Sequence, residues 1–472
     1  MLAETSLVGG VTAAKQTGGK VPQKLMAEIA PFRGLRYNLE KVPDLAQVVI
    51  PPYDVISPRE QRDFHERSPY NFIRLELGLP TPRDSAEDNP HTRASALIAQ
   101  WQREGILVRN PRASIYRCEL DYKAEPGLVK TRRGFICALR LEEFSSGRVR
   151  PHERTFQAVK DERLALMLAC SANLSPVFAL YQDSGARVHN TLASGKGGAP
   201  AISFTDSAGM NQRVWPLTER QIIDEVRALM LDKPIFIADG HHRYETALNY
   251  RNAQRGRYGG GRPHASYEFI MVYLTDMNES GLTILPTHRL LRNLGAWDCE
   301  RLVEKAKSYF HVERFEPDEL GELRWKEKIR AGGLKNDTTI GVYCKEAPCK
   351  YALTAKRDLI SSLLEQKGLP VPMRTLDVVV LDQVVLKDLL GLSDDFLANE
   401  RNISFSHDFA EALDAVKSSG FDAGFFINHT RIEQVCEVAN SGLIMPHKST
   451  YFYPKVISGL VINPLYHDEE IF

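Results

Sequence analysis

Apolar residues recur along this chain in short blocks, and their spacing switches between two periods. Over residues 91–105, Ala94, Leu97, Ile98 and Trp101 fall on one helical face, so a helix is predicted there. Residues 114–122 and 133–141 alternate apolar and polar positions, which predicts paired strands around a polar, glycine-containing loop. Residues 47–50 read as a short apolar strand stopped by Pro51-Pro52. The alternation over 72–77 predicts a further strand. Residues 161–172 and 217–231 are helical in pattern, while polar, proline-containing 81–90 reads as a loop and Gly/Ser/Ala/Asn-rich 187–209 as variable surface. The sharpest signal is 233–250, an apolar strand, then Asp-Gly, then a helix.

From residue 298 helices and strands alternate. The pattern predicts helices over 301–309, 357–367 and 432–441, and strands over 339–344 and 421–427. The apolar runs 235–238 and 378–381 are strand-sized. There is neither an internal repeat nor a coiled-coil heptad. The fold class is therefore α+β, or mixed α/β. Four regions are expected: a flexible leader over 1–28, an N-terminal α/β region over 29–145, a core over 146–297 and a C-terminal α/β region over 298–472.

Composition narrows the class. The chain has 472 residues, 43% hydrophobic and 25% charged, which excludes collagen-like and wholly disordered chains. Sixty Lys+Arg balance sixty Asp+Glu, which argues against a nucleic-acid partner, since such domains carry a basic excess. Seven scattered cysteines are too few for a disulfide framework and point to reduced thiols in a cytoplasm. No run approaches the roughly 18–20 apolar residues of a membrane span, and the Gly/Thr/Ala-rich start lacks the plan of a signal peptide.

Four strings can carry chemistry. Asp239-Gly240-His241-His242-Arg243 follows the 235–238 strand. Asp239 is a good helix N-cap, Gly240 permits a sharp turn, and the helix start offers free N–H groups to an anion beside two His and an Arg. The plain alternative is a capped helix with solvated polar residues. Pro151-His152-Glu153-Arg154-Thr155 offers a carboxylate between His and Arg as a general base. The similar His65-Glu66-Arg67 shows how little that pattern alone means. Met445 to Lys455 includes Lys448, Ser449 and Thr450, which suit a phosphate or carboxylate. Pro286-Thr287-His288-Arg289 ends a strand, and its His288 and Arg289 can line the same cleft. No Walker-type loop, protein-kinase motif set or nucleophile elbow is present, and the isolated pair Cys344 and Cys349 does not make a zinc site.

These strings resemble domain-of-unknown-function family 1015. The resemblance is carried, in order, by Pro31 to Asn38, Pro51-Pro52-Tyr53-Asp54-Val55-Ile56-Ser57, Ser68-Pro69-Tyr70-Asn71, Pro151-His152-Glu153, Ile237 to Ala247, Pro286 to Arg289 and Met445 to Pro454. Part of that family is similar to the free serine kinases, which transfer a phosphoryl group from ADP or ATP to L-serine on a ParB/sulfiredoxin-like fold. The resemblance implies a ParB-like catalytic core and a last segment that returns to its cleft. It implies catalysis by Glu153, phosphate binding by Asp239, Gly240, His241, His242 and Arg243, and substrate contacts from Lys448, Ser449 and Thr450. Residue chemistry adds a catalytic part for Asp239, with Mg²⁺ on its carboxylate, and substrate contacts from His152, His288 and Arg289. Tyr53, Asp54, Arg33 and Arg36 form a second tier. The late segment departs from the kinase pattern, with Ser449-Thr450-Tyr451 for Thr-Thr-Arg, and the added N-terminal region suits a different acceptor. Three functions stay open: a small-molecule kinase making O-phospho-L-serine, a nucleotide-binding regulator, and a phosphohydrolase or kinase acting on another hydroxyl compound. A homo-oligomer is compatible with each.

Overall fold

A computed structural model describes residues 27–125, 127–195, 198–295, 297–345, 349–418 and 420–471. Most of the expected leader lies outside these residues. Its last two positions are packed, with Ala27 buried and Glu28 paired to Arg140 at 2.5 Å.

Among the described residues, nine strands form one mixed sheet. Its order is Val149–Arg150, Ile235–Asp239, Val177–Tyr181, Phe269–Asp276, Leu128–Arg140, Ile115–Glu125, Asn211–Leu217 and Ile202–Thr205, with Ile29–Ala30 also on Leu128–Arg140. The expected pairing of 114–122 with 133–141 is present, antiparallel, with Tyr116 opposite Ile136. The period-2 pattern divides the core. Phe135, Cys137, Val177, Ala179, Ile235 and Ile237 face one side, where helices Arg187–Ala193 and Arg220–Met230 cover them. Ile136, Ala138, Phe178, Leu180, Phe236 and Ala238 face the other, against the N-terminal region and the C-terminal sheet.

That second sheet has six antiparallel strands, in the order Phe310–Phe315, Lys350–Ala355, Thr339–Cys344, Ala423–Phe426, His288–Leu291 and Ile403–Ser406. The boundary expected after residue 297 thus falls behind a strand that already belongs to this sheet. The final segment then crosses the molecule. Tyr451–Tyr453 pairs with Thr283–Leu285, Ser458 bridges Ile50, Ile462 bridges Leu35, and Asn463–Pro464 pairs with Ala172–Asn173. No described helix is long and apolar enough to cross a membrane.

Several elements differ from the sequence expectation. Residues 72–77 hold the short helix Ile73–Glu76, not a strand. The Asn71 side chain accepts the Ile73 N–H at 3.0 Å, and burial on all sides leaves alternation without meaning. Only Ile50 of the 47–50 run is bridged, because Asp44 starts a 3₁₀ turn over Leu45–Gln47. The run 378–381 is helical, continuing from Asp377–Val380 into Leu381–Leu389. A short, fully buried apolar run does not distinguish helix from strand. Residues 187–209 include a helix and the strand Ile202–Thr205. Cys299 and Cys344 are joined in a disulfide, against the expectation of reduced thiols throughout.

Candidate active site

The strand Ile235–Asp239 ends in a β-bulge between Ile237 and Asp239, which turns its last residue out of register. Gly240 follows at φ 91° and starts the helix His241–Arg257. Only glycine suits this position. Its φ is left-handed, and a Cβ would stand 2.8 Å from Arg243 Nε. Arg243 folds back over the turn and donates to Asp239 Oδ2 at 2.6 Å and to the Pro176 carbonyl. The expected capping role of Asp239 is therefore corrected. Gly240 is the N-cap, no side chain caps the helix, and the Asp239 carboxylate is held by Arg243 and Lys455. Burial alone would raise the Asp239 carboxyl, but Lys455 and Arg243 outweigh it and hold it well below the usual range.

The Pro151–Phe156 loop is fastened to this helix start by the two histidines. His241 Nε2 accepts the His152 N–H at 3.2 Å, and His242 Nε2 accepts the Phe156 N–H at 2.9 Å. Each ring is thus neutral, with its proton on Nδ1. Burial pushes His241 down to about 3. Further along, Thr155 and Lys160 reach Glu245 at 2.9 and 2.7 Å. This arrangement brings Glu153 to the helix start. Its Oε2 lies 3.8 Å from His241 Nδ1, and its Oε1 lies 3.1 Å from His447 Nδ1. Burial raises the Glu153 carboxyl, but His447, His241 and His152 together bring it down to about 2. About a third of its side chain stays open to solvent.

The late string joins the same cleft through residues partly different from those expected. Thr450 Oγ1 is 3.1 Å from His152 Nε2, and Lys448 is exposed in a left-handed turn. Ser449 is buried and donates to the Pro446 carbonyl at 2.6 Å, so its hydroxyl has a structural partner. His447 and Lys455 touch Glu153 and Asp239. Both lie within residues 445–455, yet the sequence assigns neither a site role, since spacing does not reveal which side of a turn faces the cleft. Exposed Phe156 stacks on His242 with centroids 6.0 Å apart and meets His447 edge-on.

Other candidates lie deeper. His152 is buried beneath the loop. His288 sits in the C-terminal core against Phe409 and Phe426, where burial pushes it down to about 3. Arg289 is buried behind the late turn and donates to the Lys448 carbonyl at 3.4 Å. In the second tier, Arg33 and Arg36 bond Asn110. Tyr53 lies under Arg163, whose guanidinium carbon is 4.3 Å from the ring centroid. Asp54 is exposed on the wall of the cleft, where surrounding protein and the Asp239 charge raise its carboxyl against Arg243 and Lys455.

Mg²⁺ at Asp239 does not fit this arrangement, because Lys455 holds one oxygen and Arg243 the other. Among the described residues no group of three or more His, Cys, Asp or Glu is placed to hold a metal.

Comparison with solved structures finds similar chains at low identity. A conserved hypothetical protein from Pyrococcus furiosus is 13% identical, with 68% of this chain and 94% of that one covered and a TM-score of 0.30. A mutant free serine kinase in complex with ADP is 13% identical, with 65% and 84% covered and a TM-score of 0.30. SbnI with a C-terminal truncation, from Staphylococcus aureus, is 10% identical, with 71% and 90% covered and a TM-score of 0.34. No curated protein matches the sequence. One family model does, described as a protein of unknown function, DUF1015. It matches residues 29–379, so the 445–455 string lies beyond the matched span. On that match, the chain belongs to the DUF1015 family.

Proposed function

We propose that this chain is a nucleotide-dependent phosphotransferase acting on a small hydroxyl compound, with ATP or ADP as donor and free L-serine as acceptor. The observation that carries this reading is the Glu153 carboxylate 3.8 Å from His241, in the first turn of a helix that no side chain caps. The motif order shared with the free serine kinases supports it.

Phosphoryl transfer asks a protein for positioning and for neutralisation of charge. The open amides of the helix start and its dipole suit phosphate oxygens. Arg243 and Lys455 add two cations at that end. His241 and His242 do not. Both rings accept backbone N–H bonds at Nε2, so they hold the loop as neutral groups, and what each has left to offer a phosphate oxygen is its Nδ1–H. Glu153 accepts a hydrogen bond from the acceptor hydroxyl. The hydroxyl oxygen attacks the terminal phosphorus, the bond from phosphorus to the nucleotide's bridging oxygen breaks, and the acceptor proton passes to Glu153. A carboxylate held near 2 is a weak base. It fits a loose transition state in which alignment matters more than early proton removal. Asp239 holds Lys455 and Arg243 in place.

The test is purified protein incubated with ATP or ADP, Mg²⁺ and a panel of hydroxyl compounds, read by mass spectrometry. The reading predicts O-phospho-L-serine. Release of inorganic phosphate without a phosphorylated acceptor would assign a phosphohydrolase, and nucleotide binding without turnover a regulator.

A further inference from the structure

Arg243 also lines a cavity of about 40 Å³, whose polar lining it shares with Glu76, Arg163, Asn173, Ser175 and Thr246, the rest of the wall being apolar. Glu76 comes from the N-terminal region, at the end of the helix Ile73–Glu76. Its Oε1 accepts from Ser175 Oγ at 3.1 Å and lies 3.5 Å from Arg163 Nη1. Its Oε2 is buried without a partner among the described residues. The same holds for Arg243 Nε, Thr246 Oγ1 and Asn173 Nδ2. All four residues are more than nine-tenths buried and line this one cavity.

One acceptor on Glu76, two N–H donors on Arg243 and Asn173, and the Thr246 hydroxyl, which can do either, are left open around one space; that is a hydration site in plan, because buried polar groups find partners. At roughly 10–15 Å³ for each water, the cavity holds about three. The two terminal nitrogens of Arg243 are taken by Asp239 and Pro176, so Nε is the group left for solvent.

We infer that this chamber is a built hydration site in which about three ordered waters link Glu76 to Arg243, making Glu76 a positioning residue for the guanidinium at the helix start. The N-terminal region then acts on the cleft from behind, through Arg243. This functional half rests on the phosphotransferase reading; the hydration half does not.

Two measurements test it. The first is a crystal structure of the full chain, without nucleotide, at a resolution that places waters. Two to four waters bridging Glu76 Oε2 to Arg243 Nε are expected. A dry chamber, or one filled by another molecule, overturns the inference whether or not nucleotide binds. The second is a thermodynamic cycle on ADP affinity with Glu76→Gln, Arg243→Lys and the double variant. Glu76→Gln is expected to weaken ADP about tenfold, the scale of a lost hydrogen bond to a charged group, and the double variant to be no weaker than Arg243→Lys alone. Multiplying losses would show that Glu76 acts elsewhere. Should Glu76→Gln fail to fold, Thr246→Val takes its place with a smaller expected loss and the same non-additivity. A wild-type chain that binds no ADP counts against the proposed function and leaves the water structure to decide the chamber.

Discussion

The Nδ1 of His447 lies 3.1 Å from Oε1 of Glu153, so the last part of the chain closes on the loop that carries the candidate catalytic carboxylate. His447 is half-exposed, and its removal leaves the loop fastened by His241 and His242. In His447→Ala, Glu153 loses a bond that holds its carboxyl near 2, and it titrates at higher pH. The acid limb of the kcat/KM profile is expected to move to higher pH. An unmoved limb would show that His447 does not set the charge of Glu153.

Asp239 is the counter-charge of a buried Arg243 and a largely buried Lys455. Asp239→Asn leaves Lys455 and Arg243 uncompensated, which costs about 3–5 kcal/mol by the usual scale of a broken buried pair. Adding Lys455→Met is expected to recover part of that loss. Urea denaturation of the single and double variants checks both signs.

Gly240→Ala combines a left-handed backbone with a Cβ 2.8 Å from Arg243 Nε. Strain of about 1–2 kcal/mol is expected, together with displacement of the guanidinium. Nucleotide affinity is therefore expected to fall more than that of Gly256→Ala in the same helix, where a Cβ meets nothing within 4 Å. Calorimetry on the two variants separates them.

Acid should destabilise the protein through its buried histidines. His241 and His288 are both held near 3, against 6.5 when free. Their folded values are depressed, so the unfolded chain binds protons that the folded chain does not. Stability present above pH 6.5 is lost as pH falls. Each group contributes about 1.4 kcal/mol per pH unit, or about 2 kcal/mol between pH 6.5 and 5. Urea midpoints across that range are expected to fall, and His288→Leu to flatten the slope by about half of this pair's contribution.

The sequence made the site legible where chemistry and local rules coincide. A strand, Asp-Gly and a helix over 233–250 announced the turn at Gly240, and the alternation in 114–141 announced the central hairpin. Tertiary choices stayed hidden. The pattern marks the adjacent histidines as phosphate ligands but does not show that their Nε2 atoms also staple a distant loop, a role set by which N–H groups the fold brings within 3.2 Å. Asp239 looked like a cap until Lys455 arrived from the far end of the chain. His288 looked like a cleft residue, and its burial against Phe426 depends on a strand pairing that no local pattern encodes.

The most direct measurement is the turnover of Glu153→Gln beside its nucleotide affinity. The substitution keeps the shape of the side chain and removes the charge that aligns the acceptor. Phosphoserine formation is expected to fall at least a hundredfold, the usual scale for a lost general base, with the Kd for ADP within about threefold of the wild type. Turnover that survives in Glu153→Gln, or nucleotide binding lost with it, would contradict a carboxylate at 153 acting on the acceptor beside a separate phosphate site.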